Sequence, residues 1–251
     1  MQALRGNGRR RLVVSALVLS FALISVAAAV GERPSFFADG KTQMAVDALL
    51  VPHKLPPDQP SVAELTFATR VSAEDGGHPP SLRKLLLETD SQVFFDLKKV
   101  PVCRYRRNVQ PSMDWDRCSR AAVGMGMIEF EIAFPEQSAI AGGGNVLVYN
   151  GGLVNGKRRL WLRFPLSVPT ESVYVEPLDI SQVRSGPYRT RLALTIGEVA
   201  GGSGLLKTLS LRLKKGVFGS CPTGRLLFQA TGIFADGTHP AGQLSRRCYR
   251  S

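Results

Sequence analysis

The sequence has few acidic residues, few histidines and few cysteines, and each shortage limits what the protein can do. Its 251 residues include 20 Asp and Glu against 32 Lys and Arg, so the formal net charge is +12. Three histidines and four cysteines provide few metal ligands or nucleophiles. With 44% hydrophobic and 21% charged residues the chain can still bury a core, which argues against disorder throughout. We therefore expect a globular protein that is unusually basic.

The sequence also lacks a complete motif for catalysis or nucleotide binding. Gly124-Met125-Gly126 begins like a dinucleotide-binding fingerprint, but the position that needs the last glycine is Glu129. Apolar residues alternate around this segment, so we interpret the two glycines as strand-edge or bulge positions. Ser81-Leu82-Arg83-Lys84 has the spacing used by penicillin-recognising enzymes, without the other elements of that signature. We therefore predict no catalytic residue and no cofactor.

Residues 1–29 have the organisation of a secretory signal peptide. Four arginines precede an apolar run from Leu12 to Val26, and three alanines follow it. We expect cleavage after Ala29 or Ala28, with an uncleaved membrane anchor as the alternative, because the apolar run approaches the length of a bilayer span. Cleavage removes four of the 32 basic residues and no acid, so the mature chain keeps 28 basic and 20 acidic residues. The expected location is outside the cytoplasm, secreted or associated with the cell envelope.

The cysteine count fits two disulfide bonds in an oxidising compartment. Four cysteines allow three pairings, and we favour the two local closures, Cys103 with Cys118 and Cys221 with Cys248. A four-cysteine zinc site is disfavoured, because neither pair has the short spacing with which two thiolates hold one zinc ion.

The dominant hydrophobic period beyond residue 61 is two, which predicts strands. Candidate strands follow one another at short spacing, with Gly or Pro in nearly every gap and no intervening amphipathic helix. This pattern favours an all-β fold, an antiparallel β-sandwich or barrel-like sheet, over any fold that alternates strands and helices. We expect a Pro-containing extended lead-in over 30–61, with one candidate strand at Ala45–Val51, and a single domain over 62–251. Ser81–Asp90 is compatible with a helix or a strand, and we favour a strand.

Basic charge is concentrated towards the end of the chain. Eight basic residues and one acid follow residue 198, whereas the preceding part of the mature chain is nearly balanced. Such a cluster attracts anionic polymers or lipid headgroups of the cell envelope, and we expect no nucleic acid as a partner. The predicted anion-binding residues are Lys207, Arg212, Lys214, Lys215, Arg246 and Arg247.

A short motif, D-G-x-H-P, occurs twice, at Asp75–Pro79 and Asp236–Pro240. Turn chemistry accounts for it: Asp accepts hydrogen bonds from nearby backbone N–H groups, Gly adopts positive φ, and Pro ends strand pairing. The alternative interpretation is that His78 and His239 meet, with their neighbouring aspartates, as a metal or proton-transfer site.

Seven short motifs follow one another along nearly the whole mature chain: Val100–Cys103, Cys118–Gly126, Phe134–Gln137, Tyr149–Gly152, Ala200–Gly204, Cys221–Gly224 and Asp236–Gly242. Their succession resembles an uncharacterised family of secreted bacterial all-β proteins with two cysteine pairs. The resemblance implies export and a single domain with paired cysteines, and it implies no catalytic residue.

The function hypothesis from sequence is therefore an exported, non-enzymatic binding or structural module with a basic C-terminal surface. The alternative is a secreted hydrolase or metal-dependent enzyme that uses His78 and His239.

Overall fold

The computed structural model describes residues 34–105, 115–134, 138–167, 171–184 and 186–250. The signal peptide predicted at residues 1–29 lies outside these ranges. Within these ranges the chain forms two 3₁₀ helices, Trp115–Ala121 and Ala200–Gly202. The strands are β1 (Ser35–Asp39), β2 (Thr42–Val51), β3 (Lys54–Leu55), β4 (Ser61–Ala73), β5 (Leu82–Asp90), β6 (Val93–Phe95), β7 (Ala122–Ile132), β8 (Ile140–Val154), β9 (Lys157–Leu166), β10 (Ser172–Gln182), β11 (Tyr188–Thr195), β12 (Gly204–Gly219), β13 (Arg225–Phe234), β14 (Ala241–Arg247) and β15 (Tyr249–Arg250).

The main sheet contains 13 strands, and its neighbours pair antiparallel in the order β1-β2-β4-β12-β7-β8-β9-β10-β11-β5-β13-β14, with β6 on β12. The sheet curls until its two ends approach each other, which makes it barrel-like and nearly closed. The all-β prediction is therefore confirmed. A second, small sheet joins β15 to β3 in parallel.

Alternation of buried and half-buried residues explains why these segments form strands. In β2, for example, Met44, Val46, Ala48 and Leu50 all face the core and are almost inaccessible. Leucines from β4, β5, β10, β11 and β12 meet in the interior, and the space left between them is about 20 Å³. This space is sufficient for about one water molecule. The interior at this position is a packed core and leaves no room for a larger ligand.

The strand predictions agree with the structure in most segments, and the structure differs from them at the predicted lead-in. The ambiguous segment beginning at Ser81 is the strand β5. The segment interpreted as a lead-in contributes β1 and β2 to the main sheet, where β2 pairs with β4, so the prolines from Pro52 to Pro60 follow a sheet hairpin instead of preceding the domain. Further along the chain, β8 runs on to Val154 and the chain reverses at Asn155 and Gly156.

The glycines of β7 allow two neighbouring strands to approach closely. A Cβ at Gly126 would overlap the carbonyl oxygen of Ser210 on β12. Gly124 lies at an irregularity in the β7–β8 register, as the bulge interpretation predicts, whereas Gly126 lies inside the strand with neighbours on both sides. Glycine within a strand is typical of such close backbone approach at a bend of a curled sheet.

Side chains close the seam between the two ends of the sheet, where β14 lies against the β1–β2 hairpin. Arg246 of β14 donates from Nε to Oδ1 of Asp47 of β2 at 2.8 Å, and its side chain is only 8% exposed. Near the other end of β14, Gly242 lies against the ring of Phe37, and a Cβ at this position would overlap that ring. The seam therefore includes one buried guanidinium and one position that needs a glycine.

We expect Arg246→Met to lower the free energy of unfolding by about 3 kcal/mol, because it leaves the partly buried Asp47 carboxylate without its cation. Chemical denaturation of the protein measures this change. Arg83→Ala is the matched control, because it removes a guanidinium from an exposed pair with Glu198. Equal losses from the two variants would show that the seam ion pair has no special role.

Candidate functional site

Both disulfides form as predicted and lie at the same end of the barrel-like sheet. Cys103 bonds to Cys118 and Cys221 bonds to Cys248, with Cα–Cα distances of 5.2 and 6.0 Å. Cys118 precedes the start of β7, while the other pair follows the ends of β12 and β14. These strand ends are neighbours, because the start of β7 pairs with the second half of β12. We call this the disulfide end; such bonds are typical of an oxidising environment outside the cytoplasm.

The two D-G-x-H-P motifs form matching turns at the opposite end, which we call the turn end. Oδ1 of Asp75 accepts the N–H of Gly77, and Oδ1 of Asp236 accepts the N–H of Thr238, both at 3.0 Å. These hydrogen bonds are the largest cause of the lowered pKa of each aspartate. The glycine after each aspartate has positive φ, at 74° and 87°. The turn interpretation is therefore confirmed.

The two motif histidines have different surroundings at the turn end. Nδ1 of His78 lies 3.0 Å from Oε1 of Glu131, whose other oxygen lies 2.9 Å from Nζ of Lys207. His239 is exposed, and its backbone N–H donates to Asp39. Within the described ranges, no group of three or more His, Cys, Asp or Glu side chains is arranged to hold a metal ion. No hydrogen bond joins a hydroxyl or thiol to the His78–Glu131 pair among the described residues.

The six basic residues singled out from the sequence do not form one surface. Lys207 is paired with Glu131 at the turn end, Arg212 is paired with Glu64 along β12, and Arg246 is buried in the seam. Lys214 and Lys215 are exposed on β12 near the disulfide end, and Arg247 is exposed at the end of β14. Three of the six residues are therefore ion-paired with carboxylates. Proximity in the sequence does not show which basic residues share a surface.

Charge is instead separated between the two ends of the sheet. Loops and strand ends at the disulfide end carry many more cations than acids, whereas acids outnumber cations at the turn end. At the disulfide end the described cations are Lys54, Lys98, Lys99, Arg104, Arg117, Arg120, Lys157, Arg158, Arg184, Arg189, Lys214, Lys215, Arg225, Arg247 and Arg250, with the acids Asp58, Glu64, Asp90, Asp96 and Asp116. At the turn end the acids are Asp39, Glu74, Asp75, Glu131, Glu171, Glu198 and Asp236, with the cations Lys41, Arg83, Lys84 and Lys207.

Four lysines of the disulfide end come together from two distant parts of the chain. We call Lys98, Lys99, Lys214 and Lys215 the lysine cluster. The backbone N–H of Asp96 donates to the carbonyl of Gly216 at 2.8 Å, which holds the first pair beside the second. Gly216 has a φ of 74°, and a Cβ there would lie 2.7 Å from the carbonyl oxygen of Asp96, so the junction requires glycine.

The lysine cluster is exposed and forms no ion pair with a carboxylate in the described part of the chain. Asp96 is the acid nearest in sequence, and its Oδ1 accepts the backbone N–H of Lys98 at 3.0 Å. Sequence analysis missed Lys98 and Lys99 because they belong to a stretch of nearly balanced charge. The sequence does contain two Lys-Lys pairs, but predicting that they lie side by side requires knowing which strands are neighbours.

An open groove of about 820 Å³ lies on the outer face of the sheet towards the turn end. Small residues of β8, from Ala141 to Gly144, line one side of it, and Arg70, Glu129 and Thr208 line the other. Oγ1 of Thr208 donates to Glu129 at 2.6 Å. The groove mixes both signs of charge, so its electrostatics favour neither an anion nor a cation.

Comparison with known proteins identifies no family for this chain. No family model matches it, and no curated protein matches it. Among solved structures it is similar to AvmM, described as catalysing macrocyclization in alchivemycin A biosynthesis. That match has a TM-score of 0.27 and 9% identity, and it covers 87% of this chain and 97% of that chain. A similarity this low transfers neither fold nor activity.

Across the described residues, we find no helix with the length and apolar character needed to span a membrane.

We expect Lys207→Met to raise the pKa of Glu131 towards its ordinary value near 4.5. The hydrogen bond from Lys207 is the largest cause of the lowered pKa of Glu131, and His78 adds to it, while partial burial opposes both. Because folding lowers this pKa, the ionised carboxylate contributes stability above the unfolded value, and the contribution is lost as pH falls through the folded value. A carboxyl-carbon NMR titration measures the shift. An unchanged titration would contradict the ion pair.

Proposed function

We propose that this protein is an exported, non-enzymatic binding module that attaches to an anionic partner in the cell envelope through its disulfide end. The observation that carries the proposal is the lysine cluster: four exposed lysines come from two segments joined by the Asp96–Gly216 hydrogen bond, and in the described part of the chain they form no ion pair with a carboxylate. A cation that is already paired with a carboxylate gains less electrostatic free energy from a new anionic partner than an unpaired one does. Unpaired cations on one face attract polyanions from solution, and salt screens that attraction.

The position of the lysine cluster supports attachment by one end of the molecule. Arg120 precedes β7, Lys157 and Arg158 follow the β8–β9 turn, and all three belong to the same end as the cluster. At the turn end, exposed acids such as Glu74 and Glu171 would repel the same partner. This arrangement orients the protein, because one end is attracted to an anionic surface and the other is not.

Export is part of the proposal, and it is supported by the signal-peptide pattern of residues 1–29 and by the two disulfides. We expect protein recovered outside the cytoplasm to begin at Val30 or Ala29, and intact-mass measurement of that protein determines its first residue. Recovery of a chain that retains residues 1–29 in the membrane fraction would instead support the uncleaved anchor.

We expect the mature protein to bind immobilised heparin, used here as a probe polyanion, with an affinity that falls as salt rises. Neutralising the lysine cluster (Lys98→Gln, Lys99→Gln, Lys214→Gln, Lys215→Gln) should weaken binding at least tenfold, because each lysine near an anionic surface contributes about 1 kcal/mol. Elution salt and titration calorimetry measure the loss.

The matched control neutralises four cations away from the disulfide end: Lys41→Gln, Arg70→Gln, Arg83→Gln and Lys84→Gln. It makes the same change in net charge, so a net-charge effect alone would weaken both variants equally. The proposal predicts a loss of less than about threefold in the control, a small electrostatic change compared with removing the binding face. Equal losses, or binding that does not respond to salt, would contradict attachment through the lysine cluster.

A further inference from the structure

We propose that the anionic partner of the disulfide end is a lipid bilayer surface, and that the β8–β9 hairpin tip inserts its apolar side chain among the headgroups. This inference rests on the proposed function and specifies its partner. A soluble or wall-bound polyanion needs only the cations. The disulfide end, however, also exposes apolar side chains beside them.

The hairpin tip combines one prominent apolar side chain with basic neighbours. Leu153 is 73% exposed, and β9 begins directly after the turn with Lys157 and Arg158. Asn155 and Gly156 both have positive φ, at 50° and 74°, as a tight two-residue hairpin turn requires. The tip is therefore a compact projection with a leucine on one arm and two cations on the other.

The segment that follows Lys99 is fixed beside this tip. Nδ2 of Asn150 donates to the carbonyl oxygens of Val100 and Pro101 at 2.8 and 3.2 Å. The backbone carbonyl of Asn150 accepts the N–H of Cys103 at 2.7 Å. Between them, Val102 is 49% exposed, and a Cβ at Gly152 would lie 3.0 Å from its Cγ1. Val102 therefore lies beside Gly152, the residue before Leu153, and it follows Lys99 of the lysine cluster by three residues.

This composition matches a bilayer interface in two respects. Apolar side chains gain free energy by entering the boundary between headgroups and acyl chains, while lysine and arginine remain at the level of the anionic headgroups. Neither contribution gives stable attachment alone: a few apolar side chains bury little area, and cations without them respond to any polyanion. The disulfide end places both on the same surface.

Two vesicle compositions and two double variants test the inference with the full mature chain. Vesicles of equal parts phosphatidylglycerol and phosphatidylcholine provide the anionic surface, and vesicles of phosphatidylcholine alone provide the neutral one. Leu153→Ser with Val102→Ser removes the apolar contribution. The control, Phe36→Ser with Val173→Ser, removes side chains of matched exposure (74% and 48%) from β1 and from the turn end of β10. Thermal unfolding checks that all variants fold.

We expect the wild type to sediment with the anionic vesicles and not with the neutral ones. The Leu153/Val102 variant should partition about three- to tenfold less well, in keeping with the apolar area it removes, and should keep its heparin affinity within about twofold. The control variant should match the wild type in both assays.

The possible failures are distinguishable. Heparin binding that persists without vesicle binding, or vesicle binding that the Leu153/Val102 variant leaves unchanged, would overturn the bilayer partner while leaving the proposed function intact and pointing to an anionic polymer. A wild-type protein that binds neither heparin nor anionic vesicles would overturn the proposed function.

Discussion

The curled sheet must join its first and last strands, and in the described part of the chain it does so through side chains and through the short β3–β15 ladder that follows β2 and β14. β14 and the β1–β2 hairpin meet at a buried Arg246–Asp47 pair and at the contact of Phe37 with Gly242. This closure covers inward-facing apolar residues such as Met44 and Leu244, which an open sheet would leave at its edges. A buried guanidinium is tolerated here because it is paired, and removing one partner leaves an uncompensated charge.

Closure also determines where the loops lie, and the loops carry the charge. Because neighbouring strands in the main sheet are antiparallel, alternate connections emerge at opposite ends, and cations and acids that are mixed along the sequence become separated in space. Lys98 and Lys214 are far apart in the chain but adjacent at the disulfide end, because Asp96 is hydrogen-bonded to Gly216. The proposed attachment surface is therefore a consequence of strand order. The packed interior leaves no room for a larger ligand, so the proposed binding surface lies outside the sheet.

Local rules predicted much of this fold and little of the candidate site. Period-two patterning predicted strands such as β4 and β13, while the segment of β5 was compatible with a helix or a strand. Cysteine spacing favoured the observed pairs, and turn chemistry explained both D-G-x-H-P motifs. The prolines between residues 52 and 60 led to the prediction that the preceding segment is a lead-in, because nothing local indicates that β2 pairs with β4. Arg246 is charged and was therefore predicted to lie on the surface. It is buried because it packs against Asp47, which is distant in the sequence. Long-range pairing likewise assembles the lysine cluster, which no linear count of charge could reveal.

The central claim is that one end of the molecule is its attachment face, and hydrogen exchange of the mature protein with and without heparin oligosaccharides tests it most directly. The account predicts slower exchange with the ligand at residues 97–102 and 214–216, with little change at residues 40–41, 75–78 and 236–239. Protection at the turn end, or protection spread evenly over both ends, would contradict it.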